Sequence, residues 1–173
     1  MAILTDSFDL GGLRMSPGEG RRLELAVSLD RFELGGESYA VTPAQIPVTL
    51  EISRTTQSGY ALRLRFAAGL AGPCMRCLTD AAPGYVVDAW EISQPSSGDE
   101  LESPYLVDGA LELRTWAHDA LALVLGAQIL CRPDCPGLCP ECGIRLDDAE
   151  PAHGHEPAPD PRWAKLSELH FDA

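Results

Sequence analysis

Apolar and polar positions alternate with period two in three segments of the first half of the chain. Leu23, Leu25, Val27 and Leu29 alternate with smaller or more polar neighbours, Val48, Leu50 and Ile52 with Thr49, Glu51 and Ser53, and Tyr60, Leu62, Leu64 and Phe66 with Ala61, Arg63 and Arg65. Successive side chains of a strand point to opposite faces, so this pattern predicts half-buried antiparallel strands. Thr55-Thr56-Gln57-Ser58-Gly59 is polar, ends in glycine and fits the hairpin loop between the second and third. A fourth strand is expected from Tyr85 to Ile92. Arg63 and Arg65 would face Glu51 across the hairpin, which makes them cross-strand charge partners before it makes them RNA ligands.

The period changes near Leu111. Leu113, Trp116, Ala120, Leu123 and Ala127 recur at helical spacing and predict an apolar stripe on a helix ending near Ile129, its last turn weakened by Gly126. His118 has no second ligand type one turn away, so it reads as a surface or capping histidine. Between strands and helix, Gln94 to Asp108 holds Pro95, Ser96, Ser97, Gly98 and the acidic Asp99-Glu100-Leu101-Glu102, and reads as an exposed connection. Near the end, Asp160 as N-cap and Pro161 at the first helical position announce a short helix to Leu169, with Trp163, Leu166 and Leu169 on one face. The expected fold is α+β: an antiparallel β-rich half packed with one long helix, a zinc-knuckle segment and a short C-terminal helix. Its parts are 1–93, an acidic connection over 94–110, and 111–173, the last closing on the first as one domain.

Composition narrows this picture. At 173 residues, 45% apolar and 23% charged, the chain can bury a core. No run approaches the roughly eighteen apolar residues that span a bilayer. Met1-Ala-Ile-Leu-Thr-Asp lacks a basic region before an apolar stretch, so no secretory signal is expected and the protein is placed in the cytoplasm. In a reducing compartment six cysteines point to metal or thiol chemistry before disulfides. The net charge of −13 is unevenly spread: −1 up to Pro73 and −12 from Cys74 onward. Such a surface repels phosphate, which argues against direct nucleic-acid binding and favours a basic protein partner.

The cysteines carry the candidate chemistry. Cys74-Met-Arg-Cys77 and Cys139-Pro-Glu-Cys142-Gly143 both have the two-residue gap of zinc knuckles, whose tight turn aims two sulfurs at one ion. Gly143 permits the positive φ that turns backbone N–H groups toward the sulfurs. One expected site therefore joins Cys74, Cys77, Cys139 and Cys142. Cys131, Cys135, His153 and His155 raise a second site, against the alternative of spare thiols and solvated imidazoles, or of one of these cysteines replacing a knuckle ligand. A redox Cys-x-x-Cys opens a helix after a strand, whereas Cys74 follows Ala-Gly-Pro in a turn between strands. No phosphate loop, Ser-His-Asp set or paired catalytic carboxylates can be argued, and no enzyme activity is expected.

Three motifs in order resemble the YceD family, the large ribosomal RNA subunit accumulation proteins: Cys74-Met-Arg-Cys77-Leu78, Cys135-Pro-Gly-Leu-Cys139-Pro-Glu-Cys142-Gly143, and Asp160-Pro161-Arg162-Trp163 with Leu166 and Leu169. The resemblance implies a bacterial or chloroplast factor in large-subunit ribosome biogenesis. Many members carry Cys-x-Cys where this chain has His153-Gly154-His155, an exchange of one zinc ligand for another. Some lack most of the second cysteine cluster, which implies that metal stabilises and is not itself the activity. The expected function is a non-catalytic, zinc-stabilised adaptor whose acidic half receives a basic protein, such as a ribosomal protein or an RNA-processing enzyme. A zinc-module RNA binder using Arg76, Arg132 and Arg145, and a thiol redox sensor or oxidoreductase, are the alternatives.

Overall fold

A computed structural model describes residues 3–56, 58–94, 101–155 and 162. The chain divides into two compact units, Met1–Cys135 and Pro136–Ala173. The first contains β1 (Ile3–Leu4), β2 (Phe8–Asp9), β3 (Gly20–Val27), β4 (Phe32–Leu34), β5 (Glu37–Thr42), β6 (Ile46–Arg54), β7 (Tyr60–Pro73), β8 (Asp80–Ala81), β9 (Gly84–Ser93), β10 (Leu106–Val107), β11 (Ala110–Leu111) and α1 (Leu113–Val124). The α+β expectation holds.

The long strand β7 organises the main sheet. Its residues Tyr60 to Phe66 pair antiparallel with β6 on one edge and β9 on the other. Its far end, Gly69 to Ala71, pairs with β5. β6 in turn pairs with β3, and β3 with β1. In β6 and β7 the alternation read from sequence is the burial pattern, whereas in β3 Leu23 is half-buried and Leu25, Ala26 and Val27 are all buried. Ile46, Val48, Leu50, Ile52, Leu62, Leu64, Phe66, Ala68 and Leu70 are buried, while the residues between them are exposed or half-buried. On the opposite face Glu51 stands across from Arg63 and accepts from Arg65 at 2.7 Å, so the expected charge pairing is present. Arg63 also grips Asp88 of β9 with two bonds of 2.8 and 2.7 Å and lies over the Trp90 ring.

The helix α1 lies against β9 and β3. It buries Leu113, Trp116, Ala117, Ala120 and Leu121, a stripe at i, i+3, i+4, i+7 and i+8. The expected stripe had included Leu123 and Ala127, and both are exposed. The helix stops at Val124 because Leu125 is already extended, with ψ 137. The following segment runs back to bury Ile129 completely. His118 is half-buried, its ring stacked on Phe32 at 4.4 Å and its Nδ1 3.2 Å from Asp119.

Part of the expected 94–110 connection is structured. Gln94 N–H donates to the Leu101 carbonyl, Ser103 is buried, and β10, β11 and β2 form a small antiparallel sheet. The division into units falls after Cys135, so α1 belongs to the body that holds the sheet. The C-terminal helix expected over Asp160 to Leu169 lies outside the described residues.

Candidate metal centres

At the end of β7 the chain must turn back into β8, and Cys74 to Cys77 makes that turn. Cys74 N–H donates to the Thr79 carbonyl at 2.7 Å and Leu78 N–H to the Cys74 carbonyl at 3.0 Å, with Leu78 at φ 61. In the second unit Cys139 N–H donates to the Ile144 carbonyl at 2.8 Å and Gly143 N–H to the Cys139 carbonyl at 2.9 Å, with Gly143 at φ 73. The two turns are the same knuckle, built once around glycine and once around leucine. The left-handed residue was legible at Gly143 and hidden at Leu78, because a branched side chain rarely adopts that φ.

The eight candidate ligands sort into two sets. Cys74, Cys77, Cys131 and Cys135 form one, and Cys139, Cys142, His153 and His155 form the other, the ligand atoms of each set lying within 4.8 Å of one another. Each set could hold a metal ion. The sequence had paired Cys74 and Cys77 with Cys139 and Cys142, and Cys131 and Cys135 with the histidines; the geometry exchanges those partners. A signal for the observed partition was present, since Cys139 to His155 closes a short local loop at little entropic cost. The signal for Cys131 and Cys135 was not, because their place depends on where α1 ends.

Tertiary contacts seat the first set. Met75 N–H donates to the Ile129 carbonyl at 2.9 Å, and Arg76 reaches Gln128 Oε1 and the Cys135 carbonyl, both at 3.0 Å. Those bonds hold the segment after α1 over the knuckle. Directly before Cys74, the buried Tyr39 hydroxyl donates to the Pro73 carbonyl at 2.9 Å. Gly72 leaves room for the Tyr39 ring, which a Cβ there would approach to 2.5 Å.

The spacing fits tetrahedral coordination. A Zn–S bond of about 2.3 Å sets neighbouring sulfurs about 3.8 Å apart on a tetrahedron. Cys74 and Cys135 sulfurs are 3.8 Å apart, and those of Cys77 and Cys131 are 3.6 Å apart. In the second set, Cys142 Sγ and His153 Nε2 are 3.6 Å apart, against about 3.6 Å for mixed sulfur and nitrogen ligands. The Glu141 carboxylate lies 3.6 Å from His155 Nδ1.

Local dipoles favour thiolates. Burial pushes Cys74 up, but the N–H groups of Cys77, Arg76 and Cys131 aimed at its sulfur outweigh burial and bring it down to about 6. Cys139 is also brought down to about 6, by the Cys142 N–H first, then the His153 ring and the Glu141 N–H. The Thr79 hydroxyl, 3.0 Å away, and its N–H lower Cys77. Cys131 is pushed up, first by desolvation and then by the Cys77 sulfur beside it. Four clustered sulfurs cannot all ionise without a cation to offset their repulsion, and a bound ion supplies that charge.

Two Cys-x-x-Cys knuckles, one at the end of a central strand and one in a small second unit, define an α+β protein with two ligand sets that could each hold a metal ion. The family model for the large ribosomal RNA subunit accumulation protein YceD matches residues 62–170, and the chain belongs to that family. The family is one of accumulation factors and is not a known enzyme family. Uncharacterized proteins of Mycobacterium bovis and Mycobacterium tuberculosis are each 42% identical over 109 residues, covering 60% of this chain and 52% of their own length. The chain thus spans about half the length of these relatives. A protein of Mycobacterium leprae is 33% identical over 171 residues, 94% of this chain and 76% of its own. No solved structure matches the chain. Among the described residues no helix is long and apolar enough to cross a membrane.

Proposed function

We propose that the protein is a non-catalytic factor in the accumulation of large-subunit ribosomal RNA, a cytoplasmic adaptor for basic proteins in which two zinc ions organise the two units. The observation that carries the reading is the pair of complete ligand sets, Cys₄ and Cys₂His₂. Four protein ligands leave no open position for a substrate or activated water, which is the arrangement of a structural and not a catalytic zinc site. Family membership supplies the connection to ribosomal RNA. The charge of −12 from Cys74 onward supports a basic partner, because charge complementarity speeds encounter and rejects wrong partners.

The three arginines nearest the ligand sets give little support to RNA binding. Arg76 donates to Gln128 and the Cys135 carbonyl, Arg132 pairs with Asp134 at 3.1 Å, and Arg145 pairs with Asp148 at 3.2 Å. Elemental analysis of the native protein tests the metal reading. Two zinc ions per chain are expected, and iron, or less than about one zinc, would sink it. Affinity purification at low and physiological salt tests the adaptor reading, which falls if no ribosomal or RNA-maturation protein is recovered.

A further inference from the structure

Among the described residues β9 is an edge strand of the main sheet and pairs only with β7, so one edge of Gly84–Ser93 has no strand beside it. Beside that edge, between β9 and α1, runs a groove of about 240 Å³ lined by Trp90, Glu91, Tyr105, Trp116, Leu123 and Val124 among others. Its rim is apolar and open to water: Leu123 is 86% exposed and Trp90 64%. Its charge is acidic. Glu91 stands on the edge strand and lines the groove. Asp88 also lines the groove, but Arg63 already neutralises it.

We infer that this groove and the free edge of β9 form the docking site for an extended basic segment with alternating apolar side chains, added as a strand to the sheet. Main-chain bonds to β9 would supply affinity, the groove would take the apolar side chains, and Glu91 would select for lysine or arginine. A second copy of this chain is the poorer occupant. Each copy carries −13, and a carboxylate on an edge strand is a common guard against pairing with another copy. The inference rests on the adaptor reading and locates its contact surface.

The test uses the full, metal-loaded chain and a short fluorescent peptide of alternating lysine and valine, followed by anisotropy. Saturable binding is expected, weakened about tenfold by Glu91→Lys, by Leu123→Lys, and by raising salt from low to physiological. Leu123 is too exposed for its replacement to disturb the core, and a thermal melt verifies folding of both variants. Equal affinity for both variants, or equal binding of a glutamate–valine peptide, would overturn the site. So would a dimer in analytical ultracentrifugation that Leu123→Lys dissociates. Affinity purification separates the two claims. If wild type and Glu91→Lys/Leu123→Lys recover the same ribosomal proteins, the groove is wrong and the adaptor stands. If wild type recovers none, the adaptor reading itself fails.

Discussion

The two knuckles share a backbone and differ in everything around it. Cys74, Cys77 and Cys135 are buried, and the turn of Cys74 and Cys77 continues a fourteen-residue strand with its own apolar core. Around the other knuckle, Cys142 and His155 are exposed. Within residues 136–155 only Gly137 and Cys139 are buried, and the main-chain support is a few turn bonds and the bridge between Leu138 and Arg145. The same motif therefore does two jobs. In the first unit it closes a turn on an existing hydrophobic core. In the second, with almost no apolar surface to bury, the candidate ligands are the core, and a bound ion would couple to folding there.

That contrast can be broken most directly by removing metal. Chelation is expected to unfold the described part of the second unit, since structural zinc contributes on the order of 10 kcal/mol in small domains. The sheet of the first unit should persist. Limited proteolysis reads this as new cleavage between Cys142 and His155 with the segment Gly20 to Ser93 intact; cleavage in both regions at once would erase the distinction. Next in size, Cys74→Ser should lower the stability of the first unit by about 4 kcal/mol, through lost metal and a buried hydroxyl. Cys139→Ser should leave that unit's denaturant midpoint unmoved.

Gly72→Ala comes next. Forcing a methyl against the Tyr39 ring should cost about 1–3 kcal/mol and weaken the strand end that presents Cys74. Urea unfolding followed by tryptophan fluorescence measures it. The smallest effects compare the knuckles themselves. Gly143→Ala should cost about 1 kcal/mol, because alanine resists a positive φ. Leu78→Gly should raise stability by roughly 0.5–1 kcal/mol, since Leu78 is strained and largely exposed. If both substitutions destabilise equally, the Leu78 side chain makes a contact worth more than its backbone strain.

Local chemistry was legible in the sequence. Period-two alternation marked β3, β6 and β7, because a half-buried strand has only one apolar face. Glu51 announced the pairing of Arg63 and Arg65. Both Cys-x-x-Cys knuckles and the turn at Gly143 were readable because a knuckle is one turn of chain with its own hydrogen bonds. Less local features were not. The two- and three-residue strands β1, β2, β4, β8, β10 and β11 carry too few residues to show a period.

The sequence by itself determined that the chain is α+β, that its cysteines are ligand-spaced, and that its charge is concentrated after Cys74. Only the tertiary structure decided which ligands meet. Cys131 and Cys135 join Cys74 and Cys77 because α1 stops at Val124, Ile129 enters the core, and Met75 and Arg76 bind the returning segment. None of those contacts is encoded in the spacing of cysteines. A tetrahedral ion accepts any four suitable ligands, so spacing names the candidates while the packing of a helix end on a strand end chooses among them.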